Sequence, residues 1–171
     1  MRLSSKSFDH GGILARKYTL YGDNIQPHLD WTEFPETTVT FILMVDDADA
    51  PGGVWNHWMV FNIPHTITEF QENQYVGAVG PNSWGEQKWM GPHPANNLNH
   101  QYEFKLYAVD RTLDDVSAAS TPMAIMKAAQ PYIIDSAVMA VQYFKPDSSF
   151  GGTTESPQSM TGPMGTGDIL G

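Results

Sequence analysis

Asp47, Asp49, His57 and His100 are the residues whose types and spacing could do chemistry in this chain. Three acids, Asp46, Asp47 and Asp49, fall within four residues at the end of the apolar run Val39 to Val45. A carboxylate has no packing use at the end of a buried strand. Pro51-Gly52-Gly53 then turns the chain, His57 opens a second apolar run, and His100 stands at the start of a third. Two imidazoles at the starts of strands that neighbour in one sheet can face each other. A carboxylate beside them is expected to raise their pKa above the ~6.5 reference, so that they donate to an anion. Glycines around Gly91-Pro92 can bring backbone N–H groups close, in the kind of concavity that anions occupy. The acidic turn is therefore read as one wall of an anion- or phosphate-binding pocket.

Each of these residues also has a plainer reading. His57 can be a core histidine satisfied by a backbone carbonyl. Asp47 and Asp49 can cap the turn before Ala50-Pro51. Trp55, Trp58, Trp84 and Trp89 can simply pack. A different chemistry is also open: Asp47, His57 and His100 could activate a water, with or without a divalent metal. Two histidines and one or two aspartates suit zinc. No Ser or Cys nucleophile sits in a recognisable elbow and no tight metal-ligand spacing occurs, so no catalytic residue, metal or cofactor is assigned. A third reading is an interaction protein with a vestigial pocket, pairing as a homodimer through exposed aromatics.

The elements that must position these groups follow from periodicity. Thr38 to Asp46 is β-branched, aromatic and apolar on both faces, which predicts a central strand covered on both sides. Val39, Phe41, Leu43 and Val45 share a face that Asp47 would continue. His57 to Ile63 predicts a second strand, with His57, Met59, Phe61 and Ile63 on one face and Pro64 stopping it. Gln101 to Asp110 alternates as a half-buried strand, with His100, Tyr102 and Phe104 on one face. Thr121-Pro122 predicts a helix start, with Met123, Ile125, Met126 and Ala129 buried and Pro131 ending it. Ser136 to Phe144 returns as a strand. Residues 1–30 read as edge strands and turns, with Trp31 in the core. Residues 65–100 read as a long loop that packs down through Tyr75, Trp84 and Trp89.

A chain of 171 residues is one domain by length and can bury a real core. Its 16% charged residues fall below the usual ~25%, and its 15 glycines and 12 prolines favour many turns, hence a mostly β fold. The domain is expected over residues 1–146. The Gly/Ser/Pro-rich tail, 147–171, is expected to be weakly ordered or packed on the surface. A net charge of -10 opposes nucleic acid and anionic membranes at long range. The chain has no cysteine and no apolar run of signal-peptide or membrane-span length, so a cytoplasmic location without stable membrane insertion is expected.

Two ordered signatures carry a family resemblance. The first is Asp47-Ala48-Asp49-Ala50-Pro51 followed by His57-Trp58. The second is Gly91-Pro92-His93-Pro94 followed by His100-Gln101-Tyr102 and the apolar strand to Ala108. With weaker matches at Gly22 to Trp31 and Asn62-Ile63-Pro64, the chain resembles the phosphatidylethanolamine-binding protein family, in its bacterial and archaeal Raf-kinase-inhibitor-like branch, over about residues 8–145. The resemblance implies a large central antiparallel sheet, a smaller sheet, peripheral short helices and a pocket for phosphate-like anions or phospho-headgroups. By residue match the pocket would be lined by Asp47, Asp49, Pro51, His57, Gly91, Pro92, His100 and Tyr102. His57 and His100 would donate to the anion, and Asp47 would hold an imidazole in its tautomer and keep it protonated. Asp49 and Pro51 would shape the turn, and Tyr102 would add a hydroxyl or a wall. A small anionic ligand is the implied partner; a kinase or protease partner is left open. Ala48, His93 and Gln101 depart from the family's proline, proline and arginine. The last removes a fixed charge near the pocket mouth.

Overall fold

Strand β3 (Thr40–Asp47) sits at the centre of a five-stranded sheet because its residues are apolar on both faces. Phe41, Leu43 and Val45 pack on one side with Trp31, Trp58, Phe70 and Phe104. Ile42 packs on the other with Met59, Phe61, Ile125 and Ala129. Full burial of side chains of this size stabilises the fold by about 1.5–3 kcal/mol each. The computed structural model describes residues 1–95 and 98–145, so the predicted tail, 147–171, lies outside the described residues.

The neighbours of β3 are β4 (Trp55–Pro64) and β7 (His100–Val109), both antiparallel to it. Short β6 (Ala78–Val79) lies beyond β4, and β8 (Ile133–Tyr143) pairs with β7 along its length. A smaller sheet of β1 (Arg2–Ser4), β2 (Leu29–Thr32) and β5 (Glu69–Phe70) covers one face. Helix α1 (Pro122–Ala129) covers part of the other. The fold is mostly β, as expected. No helix among the described residues is long and apolar enough to cross a membrane.

Thr121 caps α1 as its type predicts: its hydroxyl accepts the N–H of Ala124 at 3.2 Å, and Pro122 begins the first turn. Ile125 and Ala129, four apart, form the buried stripe. Met123 does not join it and is 80% exposed. Strand β8 begins at Ile133 rather than Ser136, straight after a 3-10 turn at Gln130–Tyr132 that contains Pro131. Val39, whose backbone bonds to Val109 and His65 at the end of the sheet, is exposed. The long stretch expected at 65–100 holds β5 and β6.

The expected face of β4 is corrected at two places. Between Val45 and Asp46 of β3 the partners on β4 jump from Trp58 to Asn56, which leaves His57 as an extra residue. Between Phe41 and Leu43 they jump from Ile63 to Val60. Each bulge resets the two-residue alternation. Met59 and Phe61 therefore face the helix, whereas Trp58, Val60 and Ile63 face the smaller sheet. The second bulge is held by Asn62, at φ 51°, whose side chain exchanges two hydrogen bonds with the backbone of Leu113 at 2.9 and 3.0 Å.

Candidate functional site

The site lies at the end of the large sheet where β3 finishes, β4 begins and β7 begins. Register alone brings two groups together: Asp47 pairs across from Tyr102, and His100 stands two residues before Tyr102 on the same face. The His100 ring Nδ1 lies 2.7 Å from Asp47 Oδ2, with both side chains buried. The other carboxylate oxygen of Asp47 accepts the N–H of Asp49 at 2.9 Å, closing an Asx turn. Asp46, one residue earlier, faces the helix side and binds Asn56 and Lys105 instead.

His57 reaches this face through the bulge. Strict alternation from Trp58 would send it to the helix side; as the inserted residue it lies with its ring 5.2 Å from the Tyr102 ring. Its Nδ1–H donates to the Met90 carbonyl at 2.6 Å, and the Met90 N–H returns a bond to the His57 carbonyl at 3.3 Å. That assignment leaves Nε2 as the ring atom for an occupant. Burial lowers the pKa of His57 below the ordinary histidine value, against the Met90 carbonyl and Asp47, which pull it up. The expectation that a neighbouring carboxylate would raise it is thus corrected: desolvation of the cation wins at this ring.

Asp47, Ala50, Pro51, Trp55, His57, Trp84, His93, Pro94, Ala95 and His100 line an open cavity of about 200 Å³. A single water needs roughly 10–15 Å³ of such space and a drug-sized ligand fills a pocket of about 300–1,000 Å³, so this cavity suits a headgroup-sized molecule. Four of the eight predicted residues line it: Asp47, Pro51, His57 and His100. Asp49 does not; it is exposed and its carboxylate accepts the Gln101 N–H at 2.8 Å, tying the acidic turn to the start of β7. Tyr102 lies behind the two imidazoles, 1% exposed. Burial, then the charge of Asp47, pushes that phenol far above its ordinary pKa, so it stays protonated.

Gly91 and Pro92 support the pocket from outside it. The Gly91 N–H donates to Asn24 Oδ1 at 2.8 Å, so it is spent on the fold, and the Pro92 carbonyl accepts from Leu20. The need for glycine is close approach: a Cβ at residue 91 would stand 2.0 Å from the Tyr18 carbonyl oxygen. The Trp89 indole N–H also donates to that oxygen, and the Tyr21 hydroxyl donates to the Pro94 carbonyl. These bonds pin the segment that carries Met90 and His93.

The family model for phosphatidylethanolamine-binding proteins matches residues 4–144. The chain belongs to this family. Among its relatives is a UPF0098 protein of Methanothermobacter thermautotrophicus, 35% identical over 150 residues, covering 84% of this chain and 98% of the relative. A UPF0098 protein of Chlamydia trachomatis is 31% identical over 85% of this chain and 99% of its own. A crystal structure of a phosphatidylethanolamine-binding protein homolog from Chlamydia trachomatis superposes with a TM-score of 0.79 at 30% identity, covering 84% of this chain and 96% of that one. E. coli YbcL, described as a new member of the mammalian family, superposes at 0.77 with 26% identity, covering 84% and 98%.

Within this family fold, the lining residues that sequence reasoning did not assign are Ala50, Trp55, Trp84, His93, Pro94 and Ala95. Trp55 and His93 stand inside or beside the two signatures and were legible as neighbours. Trp84 was not. It is brought in by buried Asn82, whose Oδ1 accepts the N–H groups of Trp84 and Glu86 at 3.0 Å and whose Nδ2 donates to the Lys88 carbonyl at 3.1 Å. His93 stacks on Tyr21 with ring centroids 4.7 Å apart. Among the described residues, no group of three or more His, Cys, Asp or Glu side chains is placed to hold a metal ion.

Proposed function

We propose that this member of the phosphatidylethanolamine-binding protein family is a binding protein whose pocket takes a small phosphate-like anion or phospho-headgroup. The observation that supports this reading most is the meeting of Asp47, His57 and His100 at one open cavity of about 200 Å³. A neutral His57 ring offers Nε2 to a protonated phosphate oxygen, and a protonated ring donates to an ionised one. Either way the ring has a partner in an occupied pocket. A role in regulating a kinase or another enzyme lies outside the proposal.

Titration of the full chain with phosphoethanolamine, followed by tryptophan fluorescence, tests the reading, because Trp55 and Trp84 line the cavity. A saturable change is expected in the native chain and its loss in His57→Ala and in His100→Ala. A response that survives both substitutions removes the pocket from consideration.

A further inference from the structure

Among its described residues the cavity wall offers an anion no fixed positive charge. Among the described residues its lining has one carboxylate, Asp47, and no lysine or arginine. The chain as a whole carries a net charge of -10. An occupant whose negative group meets the imidazoles therefore gains from carrying its own positive charge, since like charges in a partly desolvated site repel more strongly than in water.

The same lining holds an aromatic corner. Trp55 and Trp84 are nearly perpendicular, at 86°, with ring centroids 5.4 Å apart. The His57 ring stands 5.0 Å from Trp84 at 76°. Both indoles line the cavity and keep 39% and 38% of their surface exposed, so they are not consumed by the core. Perpendicular π faces are an arrangement that holds an organic cation, and tryptophan is the strongest such face. A primary ammonium brings three N–H donors that need acceptors. The carboxylate of the lining, Asp47, already accepts one hydrogen bond on each oxygen, from His100 and from the Asp49 N–H, and has fewer lone pairs left to offer an ammonium. A quaternary ammonium has no N–H to satisfy, and its methyl groups suit the apolar walls at Ala50 and Pro51.

We propose that the pocket selects a phosphate ester bearing a quaternary ammonium group, with Trp55 and Trp84 as the residues that set this preference. The inference rests on the binding reading above and names the ligand class within it.

Calorimetric titration of the full chain with phosphocholine, phosphoethanolamine and inorganic phosphate tests it. Phosphocholine is expected to bind about tenfold tighter than phosphoethanolamine. Trp84→Leu is expected to bring that ratio close to one, and Trp84→Phe, which keeps an aromatic face, to retain part of it. Equal or tighter binding of phosphoethanolamine by the native chain overturns the inference, whatever the variants do. If phosphate and phosphoethanolamine bind and the methyl groups add nothing, this inference falls and the binding reading stands. If none of the three binds, both fall. Sedimentation with phosphatidylcholine vesicles separates the sources: co-sedimentation competed by phosphocholine identifies a lipid headgroup, and soluble binding without co-sedimentation identifies a free ester.

Discussion

Asp47 and His100, 53 residues apart in the chain, meet at 2.7 Å with both side chains buried. Nothing local makes that contact. It follows from the antiparallel register of β3 and β7, which sets Asp47 opposite Tyr102 and so within reach of the residue two before it on the same face.

Removing one partner of a buried hydrogen-bonded pair leaves the other without compensation. Asp47→Ala is expected to cost about 3 kcal/mol in urea unfolding. It also removes the acceptor of the Asp49 N–H. In the double variant with His100→Ala the total is expected to fall short of the sum by about 1 kcal/mol or more. Strictly additive losses would mean that the contact couples nothing.

His57 makes the fold sensitive to mild acid. Its folded pKa lies below its ordinary value because of burial, so the unfolded chain takes up the proton first as pH falls. Stability from this group is complete above about pH 6.5 and declines below it, by about 1.4 kcal/mol for each tenfold loss of proton affinity on folding. Unfolding midpoints of the native chain and His57→Gln, compared across that window, are expected to converge as pH drops. Parallel profiles would refute the assignment. An anionic occupant reverses the pull on the proton, so ligand binding is expected to be accompanied by proton uptake near the same pH.

Gly91 is a position where a single methyl group does damage. Gly91→Ala would place a carbon 2.0 Å from the Tyr18 carbonyl oxygen, a backbone atom that cannot step aside alone. The expected result is a loss of about 1–3 kcal/mol in stability and weaker phosphoethanolamine binding, because the displaced segment carries the Met90 carbonyl that orients His57. Binding unchanged in a destabilised variant would show that the segment does not position the ring.

Far from the pocket, Glu69 is expected to titrate at about 2, held down first by its hydrogen bond from Lys6 and next by His28, at 2.8 and 2.7 Å. Its contribution to stability is present above the ordinary glutamate range and lost as pH falls through about 2. Lys6→Met is expected to move the carboxyl resonance midpoint in an NMR titration up toward the ordinary value. A midpoint already near 4.5 in the native chain would dispose of the pairing.

Periodicity in the chain was sufficient for the central strand, the half-buried β7 and the capped start of α1, since each is set by residues that neighbour in sequence. It was also sufficient for the choice of Asp47 over Asp46, because alternation along β3 extends the core face to Asp47. It did not reveal that Asp49 and Gly91 would spend their polar atoms on the Gln101 N–H and on Asn24, for both are bonds between distant loops. Nor did it reach Trp84, which enters the cavity wall through an Asn82-centred turn.

The amino-acid order alone determined the central strands β3 and β7, their apolar faces and the presence of an acid and two imidazoles at strand ends. Which way His57 points was decided only by the tertiary structure. Alternation places it with Met59, facing the helix. The register of β4 against β3 inserts it as an extra residue, and that insertion turns it to the face of Tyr102 and His100. A bulge depends on the pairing of two strands and leaves no mark on the two-residue period of either one read by itself.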